Sequence, residues 1–247
     1  MDRSAFVRFH LERVDSTMDE ARRLSGGVPF GSVRADAQHK GRGRLPGRVW
    51  LGEAGLDLAF TAWLPADSFG SAPPPLLAGL AVLDALVAWA GDAGCAFPAG
   101  PWIKWPNDIL GGRGKLAGIL CEASGGVLYV GIGVNLAGRP DARGFRTPAS
   151  SVRNETGRDP GPECLETAIL GRLAYLVENR SDWLGRVNGA LAYRGQSVSF
   201  MPGLGNGAPV AGTLSGVDER GHIVIATDRG PEAHASGELD TARPICH

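Results

Sequence analysis

The sequence predicts an α+β fold with a small all-β unit at its C-terminal end. Short alternating segments typical of strands are interleaved with helical patterns up to about residue 194. Two of those helical patterns are long and apolar. From Gly195 onward only short strand patterns and turns remain, which is typical of a compact barrel. We therefore expect a larger unit over residues 1–194 and a smaller unit over residues 195–247.

Local patterns define the first elements of the larger unit. Residues 6–14 (FVRFHLERV) alternate in part and predict a first strand. Asp15 or Ser16 is a suitable N-cap for a helix over the segment that follows, which carries acids in its first turn. Residues 31–38 and 56–64 predict two further strands.

The remaining elements of the larger unit are two long helices and a group of strands. Residues 73–91 form the longest apolar helical pattern, with prolines before it and glycine after it. Residues 101–111 predict a strand entering a turn, and residues 115–136 predict two strands joined around a Ser-Gly-Gly turn. Residues 162–179 predict an amphipathic helix. Its apolar face is formed by Leu165, Ile169, Leu173 and Leu176.

Composition excludes several classes of protein. Hydrophobic residues make up 43% of the chain and charged residues 21%, which is too apolar for disorder. A formal net charge of -1 gives no overall attraction to nucleic acid or to an anionic membrane. No signal peptide and no run of 18 apolar residues is found, so we expect a cytoplasmic protein without a membrane span. The cysteines lack metal-ligand spacing and predict reduced, mostly buried thiols. They are Cys95, Cys121, Cys164 and Cys246.

Positive charge is concentrated in the segment KGRGRLPGR, residues 40–48, which we call the arginine loop. Lys40, Arg42, Arg44 and Arg48 carry that charge, and no acid lies between them. Its glycines let backbone amides approach an anion, and the guanidinium groups suit phosphate or carboxylate oxygens. Three hypotheses are open at this point: a nucleic-acid patch, a cradle for a phosphate-bearing small molecule, and a solvated surface turn. The nucleic-acid hypothesis is the least favoured, because the basic residues do not extend beyond the loop.

A second candidate segment is WIKWPNDILGGRGKLAGIL, residues 102–120. Lys104 and Lys115 flank a Pro-Asn-Asp turn, and Asp108 in that turn is an oxygen ligand of the kind that Mg²⁺ takes. Trp105 could pack under a nucleobase or in the core, and the core is the favoured interpretation. The stem of Lys115 can be buried with its ammonium group directed inward.

Five motifs, DSTMDEAR, GRGRLPGRVW, KWPNDIL, GKLAGIL and GIGVNL, occur in this order along the chain. Their order and spacing resemble those of the biotin protein ligases, which are also called biotin–[acetyl-CoA-carboxylase] ligases. The resemblance covers nearly the whole chain. It implies a mixed β-sheet packed on helices, a fold shared with lipoate ligases, and a small SH3-like β-barrel at the C-terminus.

The resemblance implies a two-step reaction. Biotin and ATP, which such enzymes use with Mg²⁺, form biotinyl-5'-AMP and pyrophosphate. Biotin then passes to a lysine of a biotin carboxyl carrier protein, that is, a biotinyl domain of a carboxylase. In the first step a carboxylate approaches a negative phosphate, and two unit charges about 4 Å apart repel by roughly 4 kcal/mol at an effective dielectric near 20. Fixed cations are therefore needed between them.

Site residues follow from the resemblance by position. The residues that match the biotin site are Ser16, Thr17, Gln38, Gly41, Arg42, Arg44, Lys115 and Gly118. Those that match the ATP site are Arg44, Arg48, Trp50, Asn107, Lys115 and Asn135. The hydroxyls and the amide at the start of the first set suit a cyclic urea, because they both donate and accept hydrogen bonds. Lys115 receives the main catalytic role with Arg42 and Asp108, and Asp108 is also the candidate metal ligand.

The chain departs from the family pattern at three places, one of which is His39 and Lys40, where small or uncharged residues are more common. Met18 stands where many relatives carry Asn, which removes one polar group beside the biotin site but leaves a side chain that packs well. The arginine loop is one residue longer than usual, because Leu45 and Pro46 replace a single residue. The alignment of Arg48 therefore rests on weaker ground than that of Arg42 and Arg44.

The sequence also leads to expectations about partners and leaves two alternative functions open. The catalytic pattern begins by about Phe6, so we expect no DNA-reading domain, no nucleic-acid partner and no repressor function. Relatives are often dimers, so a homodimer is one option, although the sequence shows no interface. Two alternative functions are a lipoate–protein ligase and a non-catalytic biotin- or adenylate-binding protein.

Overall fold

The structure is a computed structural model that describes residues 6–45, 47–50, 52–138, 148–203 and 208–240. Two positions discussed above, Pro46 and Cys246, lie outside these residues. The strands of the larger unit are β1 (Val7–Val14), β2 (Gly31–Gln38), β3 (Gly41–Arg42), β4 (Val49–Trp50), β5 (Leu58–Pro65), β6 (Trp102–Lys104), β7 (Asp108–Gly111), β8 (Gly114–Ser124) and β9 (Val127–Val134). Its helices are α1 (Thr17–Leu24), α2 (Pro74–Asp92), α3 (Val152–Thr156), α4 (Pro162–Glu178) and α5 (Trp183–Gly189).

Seven of these strands form one mixed sheet in the order β1-β2-β5-β9-β8-β7-β6. β1 runs parallel to β2, and the other neighbours are antiparallel. β3 and β4 form a separate antiparallel pair that closes the arginine loop, with Gly41 opposite Trp50. The predicted mixed sheet on helices is thus confirmed.

Helices cover the two faces of the sheet unequally. α2 and α4 pack on each other and on one face, where they build the main core. α2 begins with proline at its first turn and is followed by Gly94 at φ +63°, a residue well suited to end a helix. The predicted apolar face of α4 is confirmed, since Leu165, Ile169, Leu173 and Leu176 are fully buried. α1 packs on the opposite face with a smaller cluster that includes Met18 and Trp63.

The C-terminal unit is an antiparallel sheet of five strands. They are β10 (Ser197–Pro202), β11 (Val210–Val217), β12 (Ile223–Thr227), β13 (Gly230–His234) and β14 (Gly237–Asp240). Their order is β13-β12-β11-β10-β14, and within the described residues the two end strands do not pair with each other. The predicted β unit is therefore present, whereas closure into an SH3-like barrel stays a prediction.

The structure corrects three expectations about local features. α3, α5 and the β3–β4 pair were not predicted, because elements this short carry too few residues for a periodic pattern. Residues 232–240, which carry one of the short strand patterns of the smaller unit, are divided between β13 and β14. Cys164 is exposed on α4, so the expectation of mostly buried thiols was wrong for that residue.

One described helix, α2, is long and apolar enough to span a membrane by length and composition. More than half of its apolar window, 56%, is buried inside the protein. A core helix meets the same criteria, and the packing of α2 between the sheet and α4 accounts for its composition.

Candidate active site

A cavity of about 240 Å³ lies between the start of α1, the arginine loop, the large sheet and β14. It brings together nearly all of the predicted site residues. Those that line it are Ser16, Thr17, Gln38, Arg42, Arg44, Arg48, Trp50, Asn107, Asp108, Lys115, Gly118 and Asn135. Gly41 is the exception: a side chain there would meet the Gln38 amide nitrogen at 2.4 Å, so its role is to make room for Gln38.

Strand alternation gives the cavity its floor. In β9, Val130 and Ile132 join the main core, so the intervening Gly131 and Gly133 face the other side of the sheet. Thr61 of β5 faces the cavity for the same reason. The two glycines of β9 therefore leave room above this part of the sheet.

Two large side chains lie directly on these glycines. A β-carbon at Gly133 would stand 2.2 Å from the Trp50 ring, and one at Gly131 would stand 2.9 Å from the terminal methyl of Met18. Any residue larger than glycine would displace them. The Trp50 indole N–H is buried and has no hydrogen-bond partner among the described residues.

One end of the cavity, which we call the neutral end, is made of uncharged hydrogen-bonding groups. The backbone N–H of Thr17 donates to Gln38 Oε1 at 2.8 Å, and the Thr17 hydroxyl donates to the same oxygen at 3.1 Å. Thr61 in turn donates to the Thr17 hydroxyl at 2.9 Å. Ser16 occupies the predicted N-cap position of α1, but its side chain makes no capping hydrogen bond. Its hydroxyl is therefore not committed to the helix.

The opposite end, which we call the cationic end, is built around two lysines. Lys115 Nζ pairs with Asp108 Oδ1 at 2.7 Å and lies 5.7 Å from the centre of the Trp50 ring. Burial lowers the pKa of Lys104, and Lys115 and Arg48 lower it further, while Asp108 acts in the opposite direction. The two ammonium groups thus share one electrostatic environment beside a carboxylate.

The three arginines of the arginine loop pair with different groups of the protein. Arg42 forms a two-pronged ion pair with Asp19 of α1, with distances of 2.7 and 3.0 Å. This contact lowers the pKa of Asp19 and raises that of Arg42. Arg44 donates to the Gly237 carbonyl at 3.0 Å, and Arg44 and Arg48 face Glu238 at 3.7 and 3.9 Å. The loop is therefore tied to α1 at one side and to the C-terminal sheet at the other.

Asn107 and Asn135, which were predicted to line the nucleotide site, hydrogen-bond through their side-chain amides to backbone carbonyls. The side-chain nitrogen of Asn107 donates to the Ile119 carbonyl at 2.8 Å. That of Asn135 donates to the carbonyls of Lys115 and Ser150 at 3.2 and 3.0 Å. In Asn135 both amide hydrogens are used, so only its oxygen is left to meet a ligand, whereas Asn107 keeps one hydrogen and its oxygen.

Trp105 connects the large sheet to the C-terminal unit. It is almost fully buried, its indole N–H donates to the Gly221 carbonyl at 2.9 Å, and its ring packs edge-on against Phe200. These contacts agree with the core interpretation of Trp105, although the ring also borders the cavity.

Among the residues that line the cavity, the sequence indicated no site role for Thr61, Lys104, Glu238 and Leu239. Thr61 is the only hydroxyl in an otherwise apolar strand, which is a usable signal. Lys104 had been noticed as a cation but received no role. Nothing in the local sequence of Glu238 or Leu239 points to a site more than a hundred residues away along the chain.

Asp108 was predicted to hold Mg²⁺. In the structure one of its oxygens pairs with Lys115, and within the described residues no group of three or more His, Cys, Asp or Glu side chains could hold a metal. Asp108 can thus supply at most one carboxylate. That arrangement suits Mg²⁺ only when phosphates and waters provide the other ligands.

Comparisons with known proteins agree with this geometry. Residues 11–137 match the model of the Biotin/lipoate A/B protein ligase family. A biotin–[acetyl-CoA-carboxylase] ligase of Paracoccus denitrificans is 37% identical over 93% of this chain and 98% of its own. A protein of the same name from Mycobacterium tuberculosis is 29% identical over 82% of this chain and 76% of its own.

Among solved structures, the Aquifex aeolicus biotin protein ligase in complex with biotin and ATP superposes with a TM-score of 0.79. It is 28% identical and covers 94% of this chain and 97% of its own. The fold and the cavity therefore define a protein of the ligase class that joins small carboxylic acids to proteins. The chain belongs to the Biotin/lipoate A/B protein ligase family.

Proposed function

We propose that this protein is an ATP-dependent biotin–protein ligase. It activates biotin as biotinyl-5'-AMP with release of pyrophosphate and transfers biotin to a lysine of a biotin carboxyl carrier protein. One observation carries the proposal: a single cavity joins a neutral, hydrogen-bonding end to a cationic end. A molecule with a polar ring and a carboxylate fits this arrangement. The names of the relatives reported above support the same activity.

In the first step, the ring of biotin binds at the neutral end and its carboxylate reaches the cationic end. The carboxylate oxygen attacks the α-phosphorus of ATP, and the bond from that phosphorus to pyrophosphate breaks. Lys115 and Arg42 offset the charge that builds between the two anions, which is worth most in a site shielded from water. Asp108 holds the Lys115 ammonium in place at 2.7 Å.

ATP occupies the part of the cavity nearest the C-terminal sheet. Trp50, Asn107 and Asn135 surround the nucleoside, and Arg44 and Arg48 meet its phosphates. Asp108 would hold the Mg²⁺ that accompanies ATP, and the ion would offset part of the phosphate charge. In the second step the acceptor lysine attacks the carbonyl of biotinyl-5'-AMP and AMP leaves.

The proposal also covers the division into domains, the acceptor protein, the cellular location and the oligomeric state. The catalytic unit spans residues 1–194, and residues 195–247 form an SH3-like domain that contributes Glu238 to the cavity. The acceptor is the biotinyl domain of a carboxylase, and the enzyme works in the cytoplasm. A homodimer is compatible with the proposal but is not needed for the chemistry.

The neutral end favours biotin over lipoate. Thr17, Gln38 and Ser16 offer hydrogen bonds, and the ureido ring of biotin can use them. The dithiolane ring of lipoate has neither a strong donor nor a strong acceptor, so these groups would lose their bonds to water without replacement.

The test is transfer of labelled biotin to a purified biotinyl domain with Mg·ATP. Wild type should transfer biotin, and Lys115→Ala and Arg42→Ala should each lose most of that activity. Lys40→Ala is the matched control, since Lys40 pairs with Asp15 and does not line the cavity. Pyrophosphate release with lipoate but not with biotin would overturn the proposal in favour of a lipoate ligase. Biotin binding without adenylate formation would instead indicate a non-catalytic binder.

A further inference from the structure

The hydrogen-bond chain at the neutral end has a fixed direction. Threonine hydroxyls can donate or accept, and the two ends of a glutamine amide are assigned from their partners. The backbone N–H of Thr17, however, can only donate, and it lies 2.8 Å from the Gln38 amide. The amide atom at that position must therefore be the oxygen.

The directions of the hydrogen bonds made by the Thr17 and Thr61 hydroxyls follow from that assignment. The Thr17 hydroxyl, 3.1 Å from the same oxygen, must donate its single hydrogen to Gln38. It can then only accept from Thr61, whose hydroxyl lies 2.9 Å away. Thr61 is fully buried, so water does not compete for this bond.

This direction decides what Gln38 presents to a ligand. Both lone pairs of its oxygen are used by Thr17, so the amide nitrogen, a donor only, is the part left for the ring. Gly41 leaves just enough room for that nitrogen, since a β-carbon there would lie 2.4 Å from it. Contacts on both sides of the amide thus oppose its rotation.

We propose that Thr61 is a positioning residue for recognition of the ligand's ring. The series of hydrogen bonds from Thr61 through Thr17 to Gln38 selects a ring that has a carbonyl acceptor over a ring that has only donors. The inference rests on the proposed function. The ureido carbonyl of biotin accepts from the Gln38 nitrogen. 2-Iminobiotin, in which a cyclic guanidine replaces the urea, is protonated near neutral pH and offers only N–H groups. Donor then faces donor, and the analogue is rejected.

The first experiment measures biotin-dependent pyrophosphate release by wild type, Thr61→Val and Thr61→Ser. Thr61→Val keeps the shape but leaves Thr17 without its donor, so KM for biotin should rise about tenfold while KM for ATP stays unchanged. Thr61→Ser should restore most of the loss. Ser32→Ala is the control: Ser32 is equally buried in the neighbouring strand and bonds Glu166 away from the cavity. It should lower Tm without changing KM for biotin.

The second experiment compares the binding of biotin and 2-iminobiotin by calorimetry. Wild type should prefer biotin by a large factor. Gln38→Glu would keep one oxygen on Thr17 and turn the other toward the ring, so the ratio of the two affinities should shift toward the analogue by about a hundredfold or more. Far-ultraviolet circular dichroism and Tm confirm that each variant is folded.

The outcomes separate this inference from the proposed function. Wild type that turns over biotin, while Thr61→Val keeps its KM or Gln38→Glu keeps its preference, overturns the inference and leaves the ligase intact. Equal wild-type binding of the two rings also overturns it. Wild type with no biotin-dependent pyrophosphate release removes the proposed function and the inference together.

Discussion

At the neutral end of the cavity three side chains hydrogen-bond to one another, whereas at the cationic end basic side chains face carboxylates of the protein. Thr17, Gln38 and Thr61 form a hydrogen-bonded chain that a ring can join without breaking it. Lys115 instead pairs with Asp108, and Arg44 and Arg48 face Glu238. A bound phosphate or carboxylate has to compete with these acids.

The difference reflects two problems of electrostatics. Uncharged groups can be fixed in advance, since an oriented dipole costs little when its neighbours are also hydrogen-bonded. A cluster of like charges cannot be left unpaired in a partly buried cavity without a large penalty. We therefore infer that the neutral end is ready for its ligand, while at the cationic end ligand anions compete with Glu238 for Arg44 and Arg48.

The largest effect is expected from removing the central cation. Lys115→Met should lower the rate of adenylate formation by about a thousandfold, because the charge acts on the transition state. Biotin affinity should fall by only about tenfold, since the neutral end is untouched. Single-turnover pyrophosphate release and calorimetry measure the two quantities, with Lys40→Met as control. Equal losses in both would show that the two ends do not act separately.

The second effect concerns pH. Because burial lowers the pKa of Lys104, its positive charge is lost at lower pH than that of an exposed lysine. Asp108 and Glu238 favour the charged form, and Lys115 and Arg48 oppose it. kcat/KM for ATP should fall by up to about tenfold per pH unit as pH rises through the Lys104 pKa. Lys104→Arg, which stays charged, should remove that decline. An unchanged profile in the variant would assign the decline to another group.

A smaller effect tests the competition at the C-terminal sheet. Glu238→Gln removes the carboxylate that faces Arg44 and Arg48 at 3.7 and 3.9 Å. KM for ATP should fall a few-fold, and the loss of stability should stay below about 1 kcal/mol, since both arginines are partly exposed. Glu219→Gln, an exposed change in the same unit, is the control. A rise in KM would mean that Glu238 holds the arginines in their binding position.

The smallest effect is expected for Asp19. The contact with Arg42 keeps the pKa of Asp19 below its ordinary value of 3.8. A lowered carboxyl pKa stabilises the fold above the unfolded value and loses that contribution as pH falls through the folded value. The Tm of wild type should thus exceed that of Asp19→Asn slightly near neutral pH, and the gap should close in acid. Glu20→Gln, whose partner Arg23 lies outside the cavity, gives the reference. A gap that persists in acid would exclude the ion pair as its cause.

Much of the fold was predictable because its signals are local and repeated. β2 was predicted at its observed bounds, and α2 and α4 were each placed within a residue of theirs. Their patterns extend over many residues, so the period is unambiguous. α3 has only five residues, and its Ser151 N-cap and Gly157 end signals are too brief to stand out.

The residue types that form the site were predictable from the sequence. The residue types of the arginine loop, the Pro-Asn-Asp turn and Lys115 already pointed to an anion, because only certain side chains pair with phosphate or carboxylate. Family motifs named most of the residues that line the cavity. The sequence alone thus determined which chemistry the chain can offer.

Only the tertiary structure decided how those groups are paired. Which carboxylate faces which cation, and that β14 reaches the arginine loop, depend on contacts between residues far apart in the chain. The role of Thr61 likewise appears only when β5 lies beneath α1, since a hydroxyl gains a direction from its neighbours in space. Local sequence carries periodicity and residue type, whereas hydrogen-bond direction and charge pairing belong to the assembled fold.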